Sequence, residues 1–243
     1  MARAIGTYVV IPMGFLIFFS SLCVAGNKKI MTIRAAKVLA QRAIVESVYG
    51  LKLKASEEVV DMVAATFEGK TESKTRAKIR GVRFEEIVYD TKKDIAKVTA
   101  VVDLETITNI DGESVDLKNK SFRRVAFATS TPSMAGKLKA LRVAEIDAYQ
   151  QLIKQIVGFT LESQTTVKNY LLESDVVKTR TLATIYLAEL TDYGWEEDGN
   201  AYVKMAVPVA EVSQLIGENI VSAETEIVEV TGQGAMEDDF TNL

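Results

Sequence analysis

Residues 34–53, RAAKVLAQRAIVESVYGLKL, decide the fold, because residues 142–161 repeat them as RVAEIDAYQQLIKQIVGFTL. The two stretches align without a gap. The positions that are identical in both are Arg34 and Arg142, Ala36 and Ala144, Ala40 and Ala148, Gly50 and Gly158, and Leu53 and Leu161. A repeat of this length predicts two copies of one structural unit within the chain.

Both stretches are predicted to form amphipathic helices, because their apolar residues recur at steps of three and four. These residues are Ile33, Ala36, Ala40, Ile44 and Val48 in the first copy, and Leu141, Ala144, Ala148, Leu152 and Ile156 in the second. Alanines in the middle of the stripe allow a neighbouring layer to approach closely. Gly50 and Gly158 suit the left-handed residue that ends a helix, so both helices are expected to end there.

A shorter helix and then strands are predicted to follow each long helix. The short helices are expected at residues 56–67 and 167–171. Long strands run from the matched pairs Thr75-Arg76 and Thr179-Arg180 to Tyr89 and Tyr193. Turns at residues 91–93 and 197–200 lead back into strands at residues 95–104 and 201–209. A turn at Asp111-Gly112 and a strand at residues 122–129 add a hairpin to the first unit, and residues 226–230 form a further strand.

The predicted fold class is therefore α+β. The chain is expected to contain two tandem repeats, each with a long helix and a short helix packed on one face of a small antiparallel sheet. The first repeat, with its extra hairpin, spans residues 26–130, and the second spans residues 131–230. Residues 231–243 are expected to form a flexible acidic tail.

Residues 1–25 are typical of a secretory signal peptide. Arg3 lies in the positive n-region, residues 5–19 are apolar, and Cys23 and Ala25 occupy the small-residue positions that a signal peptidase reads. The alternative is an uncleaved membrane anchor, since the apolar stretch is about long enough to span a bilayer as a helix. Pro12 and Gly14 favour cleavage after Ala25, because they weaken such a helix.

The composition argues against catalysis and against metal or nucleic-acid binding. The chain has no histidine, and its only cysteine, Cys23, lies in the predicted leader, so the commonest general base and the usual zinc ligands are missing from the mature chain. The net charge is −4, with Lys and Arg scattered among acids, which is not a nucleic-acid footprint. We expect no enzyme activity, catalytic residue, cofactor or metal site.

One glycine motif and two acidic runs are candidate binding sites. Gly232-x-Gly234 has the spacing of a phosphate-binding loop, but the acids that follow it would repel phosphate. The acidic runs at residues 196–198 and 237–239 lack the ligand spacing of a calcium loop, which leaves weak calcium binding as the alternative to solvated loops.

The segments Val48-Tyr49-Gly50-Leu51 and Ile156-Val157-Gly158-Phe159, with residues 166–177 and the strand ending in Tyr193, resemble the Lpp-twenty type of bacterial envelope lipoprotein domain in two tandem copies. That family supplies parts of flagellar assembly protein T and of the flagellar basal-disc protein P. The resemblance implies a non-catalytic envelope role, often in rings or other assemblies. Family members are commonly lipidated, whereas Leu22 before Cys23 departs from a lipidation site. The location is expected to be the periplasm, the outer membrane or the cell exterior.

Two similar units in series with open sheet edges predict an exported structural or assembly protein that self-associates into a ring or filament. The alternative is a monomeric periplasmic binding module or assembly factor that recognises another envelope or flagellar protein, or a glycan. Membrane contact is expected only through an uncleaved N-terminal segment. The candidate partner-binding residues are Trp195, Tyr193, Tyr202, Gly112, Ile227 and Val230, the last two on a strand that could complete a neighbour's sheet.

Overall fold

A computed structural model describes residues 18–53, 81–108, 114–170 and 175–236. The first half contains helix α1 (Phe18–Leu53) and strands β1 (Arg83–Asp90), β2 (Ile95–Thr108) and β3 (Ser114–Thr129). After a 3-10 turn at Pro132–Met134, the second half contains α2 (Ala135–Gly158), α3 (Val167–Tyr170), α4 (Asp175–Leu187), β4 (Glu189–Trp195), β5 (Ala201–Pro208), α5 (Val209–Ile216) and β6 (Ile227–Gly234). The described strands form two antiparallel three-stranded sheets, ordered β1-β2-β3 and β4-β5-β6. The predicted α+β class is confirmed.

Helix α1 lies across β2 and β3 of the first sheet. Its buried face carries Ala36, Ala40 and Ile44, which belong to the predicted apolar stripe. The facing residues of β2 alternate along the strand, as the period of two requires, and are Ala96, Val98, Ala100 and Val102. Small side chains on both layers bring the helix close to the sheet, as the alanine pattern predicted.

Helix α2 packs on β5 and β6 of the second sheet, with Ala140, Ala144 and Ala148 buried. A Cβ atom built on Gly232 would lie 2.1 Å from the carbonyl oxygen of Ala144, and one built on Gly234 would lie 2.0 Å from that of Ala140. These glycines therefore serve close helix-strand packing. The prediction that the loose tail begins at residue 231 is wrong, because β6 continues to Gly234. Residues 237–243 lie outside the described residues.

Helix α4 corrects a predicted strand. Residues 179–187 were expected to be extended, but they form the second part of a helix, and β4 begins only at Glu189. Most residues in the second part of this helix are buried, namely Thr179, Thr181, Leu182, Ala183, Thr184, Ile185 and Tyr186, whereas Arg180 and Leu187 are half-buried. A helix buried on most of its surface has no broad polar stripe, and its β-branched residues are typical of a strand. The Thr181 and Thr184 hydroxyls donate to backbone carbonyls within the helix.

The ends of other elements also differ from the prediction. Helix α1 continues past Gly50, and Gly158 ends α2 without a left-handed backbone. Strand β3 begins at Ser114 and changes direction at Lys118 and Asn119, whose φ angles are positive. Residue 209 begins the short helix α5, which was not predicted from the sequence. The predicted short helix at residues 56–67, the Thr75-Arg76 pair and the Asp111-Gly112 turn lie outside the described residues.

Helix α1 runs without a break through Ala25, the last residue of the predicted leader. Residues 1–17, which hold most of that leader, are outside the described part of the chain. Among the described residues, no helix has both the length and the apolar character needed to cross a membrane.

The two halves meet at Arg124 of β3, whose side chain is 1% exposed. Its Nη2 donates to Glu145 Oε1 of α2 at 2.9 Å, and its Nη1 donates to the Tyr149 hydroxyl. The guanidinium also lies against the rings of Tyr149 and of Tyr186 in α4. Glu145 additionally accepts a 2.5 Å bond from Arg142. One residue of the first sheet therefore contacts two helices of the second half.

Replacing Gly232 by alanine is expected to destabilise the protein, since the new methyl group would collide with the backbone of α2. Overpacking of this kind costs about 1–3 kcal/mol or more. Gly158→Ala is the matched control, because a Cβ there meets no atom within 4 Å. Thermal and urea unfolding would measure both variants. Equal stability of the two would contradict the close packing of β6 on α2.

Glu145→Ala is expected to cost about 3–5 kcal/mol, because it leaves the buried Arg124 charge without its carboxylate. Glu189→Ala serves as the control: its bond to Arg123 Nη1 is 3.0 Å long, but both side chains are exposed. Loss of that pair should cost no more than about 1 kcal/mol. A similar small loss for Glu145→Ala in urea unfolding would show that Arg124 does not depend on the ion pair.

Candidate interaction surfaces

A cleft of about 860 Å³ lies between the β1–β2 turn of the first sheet and the β4–β5 hairpin of the second. Its size is that of a typical ligand pocket. Helix α2 contributes Lys137 to the wall, and α1 contributes Lys28. We call this cavity the lysine cleft, because five lysines line it: Lys28, Lys92, Lys93, Lys97 and Lys137.

Three aromatic residues of the second sheet form the other wall of the lysine cleft, namely Tyr193, Trp195 and Tyr202. The Trp195 indole N–H donates to the Lys137 carbonyl oxygen at 2.8 Å, which holds the hairpin against α2. Tyr193 stacks at a tilt on Phe127 of β3 with 4.6 Å between ring centroids. The Tyr202 ring crosses Gly194, where a Cβ would come within 2.7 Å of it. The rings are therefore fixed before any ligand binds.

Cations of the first sheet reach these rings. The Lys93 ammonium lies 5.3 Å from the Trp195 ring centroid, and that of Lys97 lies 5.7 Å from the Tyr193 centroid. Lys97 also pairs with Glu86 at 2.9 Å, and Lys28 pairs with Asp94 at 3.4 Å. Cation–π contacts hold an ammonium group in place without neutralising its charge. The carboxylates among the described lining residues are Asp90, Asp94 and Glu196, so this lining carries a net positive charge.

Asp94 is the buried hub beneath the lysine cleft. Its carboxylate accepts hydrogen bonds from the hydroxyls of Ser130, Thr131, Tyr89 and Thr32, at 2.7 to 3.1 Å. These partners tie the middle of α1, the end of β1 and the residues after β3 to the β1–β2 turn. The backbone of Asp94 is left-handed, with a φ of 51°, which aspartate tolerates better than most residues. Burial alone would raise the pKa of Asp94, but the four hydroxyl donors hold that pKa well below its ordinary range.

The second candidate surface is the free edge of β1. Among the described strands, only β2 pairs with β1, and the register is regular from Glu86 to Asp90 after an irregularity beside Phe84. Phe84, Ile87 and Val88 are 36%, 44% and 48% exposed. Phe84 and Ile87 pair with Ala100 and Val98, so they lie on the side of the sheet that α1 covers elsewhere.

Helix α1 covers this side of β1 only in part. The Lys37 ammonium lies 5.4 Å from the Phe84 ring centroid, so this side of α1 faces β1. Ile30 precedes Lys37 by two helical turns and shares its side, and it is 66% exposed. We call Ile30, Phe84 and Ile87, together with Val88 on the opposite face of β1, the apolar edge. An exposed apolar edge strand is a template for pairing with another chain.

The structure brings together three of the six predicted partner-binding residues. Trp195, Tyr193 and Tyr202 line the lysine cleft, whereas Gly112 lies outside the described residues. Ile227 is exposed but pairs with Pro208, at the opposite end of β5 from the cleft. The prediction for Val230 is wrong, because its side chain is 4% exposed and belongs to the core.

Strand β6 is less available for pairing than the sequence suggested. The Thr231 carbonyl accepts from Gln151 Nε2 at 3.0 Å, and the Gln233 N–H donates to Asp147 at 2.9 Å. The Ile227 carbonyl accepts from the Thr225 hydroxyl at 2.7 Å. Satisfying edge groups within the chain works against edge-to-edge association. Among the edge strands of the described sheets, β1 carries exposed apolar residues that were not predicted from the sequence.

The lysines of the cleft were also missed, since they come from α1, the β1–β2 turn, β2 and α2. The adjacent Lys92-Lys93 pair in a predicted turn was the available signal. No group of three or more side chains suited to a metal ion occurs in the described ranges. Asp198 of the predicted weak calcium loop accepts bonds from Asn200, and residues 237–239 lie outside those ranges.

Comparisons of the chain with protein families, with curated proteins and with solved structures found no match. The resemblance to the Lpp-twenty type of domain therefore stays a prediction from the residues that carry it.

Asp94→Asn is expected to lower stability at neutral pH by about 1–3 kcal/mol, because an amide cannot accept from four hydroxyls. The folded pKa lies below the ordinary value near 4, so the stabilisation is present above that pH and is lost as the pH falls. The gap between wild type and variant should narrow from pH 7 to about pH 3 in urea unfolding. Asp192→Asn, on the exposed face of β4, is the control. A gap that does not change with pH would contradict the charged hub.

Proposed function

We propose that this chain is a non-enzymatic structural or assembly protein of the bacterial envelope or cell exterior, and that it self-associates into a ring or filament. The observation that carries the proposal is the apolar edge along β1. The leader-like residues 1–25 support export, with cleavage after Ala25 and a location in the periplasm, at the outer membrane or outside the cell. A mature chain without histidine or cysteine supports a non-catalytic role.

The proposal includes two diverged copies of one unit. In its support, each half has a long helix on the second and third strands of an antiparallel three-stranded sheet. The matched pairs Ala36 with Ala144 and Ala40 with Ala148 are buried in both. The same positions thus perform the same packing. The tandem arrangement of the Lpp-twenty type of domain is part of the proposal on these grounds.

Self-association is supported by the physical state of β1. An edge strand exposes backbone donors and acceptors, and a second strand added there would continue the ladder. Burying Phe84, Ile87 and Val88 would add about 25 cal/mol for each Å² of apolar surface removed from water. Both contributions are specific to an extended partner strand of similar chemistry, which a second copy of β1 provides.

The geometry of the contact decides the assembly. Pairing β1 with β1 of a second copy gives a closed two-fold dimer with one continuous sheet. Pairing β1 with a different surface of the next copy leaves each new end open and extends to a ring or filament. Electron microscopy of purified residues 26–243 separates these outcomes.

Ile87→Lys is expected to shift the protein from oligomer to monomer, because a charge on the apolar edge would be buried on pairing. Ile87 is preferred to Val88, which also lines the lysine cleft. Size-exclusion chromatography with light scattering on residues 26–243 measures the change as a function of concentration. Val143→Lys is the control, since Val143 is 49% exposed on α2 and should leave the oligomer intact.

A wild-type monomer at every concentration would contradict self-association. That result would indicate that the apolar edge is covered within its own chain, with residues 54–80, between α1 and β1 in sequence, as the candidate segment. It would also favour the second candidate function. That function is a monomeric binding module or assembly factor, which recognises another envelope protein or a glycan. The fixed aromatic wall and positive charge of the lysine cleft are the observations in its favour.

A further inference from the structure

The lysine cleft lies beside the place where the described chain ends, and the next residues are Glu237, Asp238 and Asp239. We propose that this acidic segment docks in the lysine cleft of its own chain. The inference concerns the cleft alone and does not depend on self-association through β1.

Part of the positive charge in the lysine cleft has no carboxylate partner in the described ranges. Lys28 and Lys97 are paired with carboxylates, as described above. Lys92, Lys93 and Lys137 form no ion pair within the described ranges, although all three line the same cavity. Asp90, their nearest acid in sequence, uses its carboxylate to accept the backbone N–H groups of Lys92 and Lys93. Three ammonium groups thus line the cleft without an ion pair in the described ranges, and the segment that follows Met236 in sequence carries three consecutive carboxylates.

Helix α2 adds to the positive electrostatic potential in the lysine cleft. Lys137 lies in its first turn, which contains no acidic residue. The N-terminus of a helix carries a partial positive charge, so a lysine there is unfavourable unless an anion lies nearby. A carboxylate bound beside Lys137 would offset both charges. The lysine cleft is therefore built for an anion rather than for a neutral ligand.

Met236, the last described residue, is held next to a wall of the lysine cleft. The Met236 side chain lies between two glycines: Cβ atoms built on Gly199 and Gly136 would be 3.0 Å and 3.7 Å from it. Its N–H donates to Asn200 Oδ1 at 3.2 Å. Gly136 immediately precedes Lys137, so the chain is anchored next to the cleft wall. Two or three extended residues beyond Met236 span about 7–10 Å.

The charges near Met236 also favour the lysine cleft. The β4–β5 turn carries Glu196, Glu197 and Asp198, and all three are exposed. Glu196 also lines the cleft, but the five lysines there outnumber the three lining carboxylates, so the cleft attracts an acidic segment more than the turn does. Attachment at Met236 also gives the segment a high effective concentration at the cleft. A carboxylate-rich segment of the same chain is thus the occupant that charge, reach and tethering favour together.

Trp195 provides the readout, because it is the only tryptophan in the chain and lies in the cleft. In the full chain, raising the salt concentration from about 0.02 M to about 1 M should screen the contact and shift the Trp195 emission. The neutral triple variant Glu237→Gln, Asp238→Asn, Asp239→Asn should lose this shift. The double variant Lys92→Glu, Lys137→Glu should also lose the shift. It leaves Lys93 in contact with the indole ring.

Lys154→Glu combined with Lys168→Glu is the matched control, because both lysines are exposed outside the cleft. This variant changes the net charge by the same amount and should keep the shift. Circular dichroism of each variant establishes that the fold is intact. An equal salt response in wild type and the neutral triple variant would overturn the inference.

A labelled peptide of residues 235–243 tests the same contact in trans. It should bind the neutral triple variant about tenfold or more tightly than wild type, whose own segment competes. The Lys92→Glu, Lys137→Glu pair placed in the neutral variant should abolish binding. Equal binding to wild type and the neutral variant would overturn the proposal. A wild-type salt response that depends on protein concentration would also overturn it, by assigning the segment to a second copy.

Discussion

The arrangement of the two sheets depends on one buried positive charge. Arg124 comes from β3 of the first sheet, yet its partners Glu145 and Tyr149 belong to α2, and Tyr186 belongs to α4. An arginine cannot lose its proton at any accessible pH, so burial is tolerated only while these partners stay in place. This requirement fixes β3 against the helices of the second half. The surfaces shared between the halves depend on this contact together with the apolar core to which both halves contribute.

The lysine cleft is such a surface. Neither half contains it alone, since the first sheet supplies Lys93 and Lys97 and the second supplies the rings on which they lie. The Phe127–Tyr193 contact and the Arg123–Glu189 pair join the same two sheets near the cleft. The hub at Asp94 then holds the lysine-bearing turn to α1 and to the end of β3. A polar network and an ion pair therefore act together with the shared apolar core in positioning the cavity.

The two surfaces of the molecule have different chemistry and adjoin at Val88. The apolar edge offers backbone groups and exposed aliphatic and aromatic side chains to an extended strand, whereas the lysine cleft offers charge. Val88 borders both, so a strand paired with β1 would lie beside the cleft opening. Pairing at one surface and occupancy at the other are thus physically adjacent, and an acidic segment in the cleft would contribute charge at the end of the β1 interface.

The sequence by itself determined what depends on spacing along the chain. The alanine stripes of α1 and α2, the hairpin turn before Ile95 and the antiparallel return strands follow from the local periods of helix and strand. It also indicated Trp195, Tyr193 and Tyr202 as one cluster, because they belong to one hairpin. Tertiary structure alone decided that residues 179–187 are helical, that Gly232 and Gly234 pack on α2, and that Val230 is buried. Those outcomes, like the meeting of Lys93 with Trp195, depend on contacts between residues far apart in the chain, and no local period records which distant surface a residue will meet.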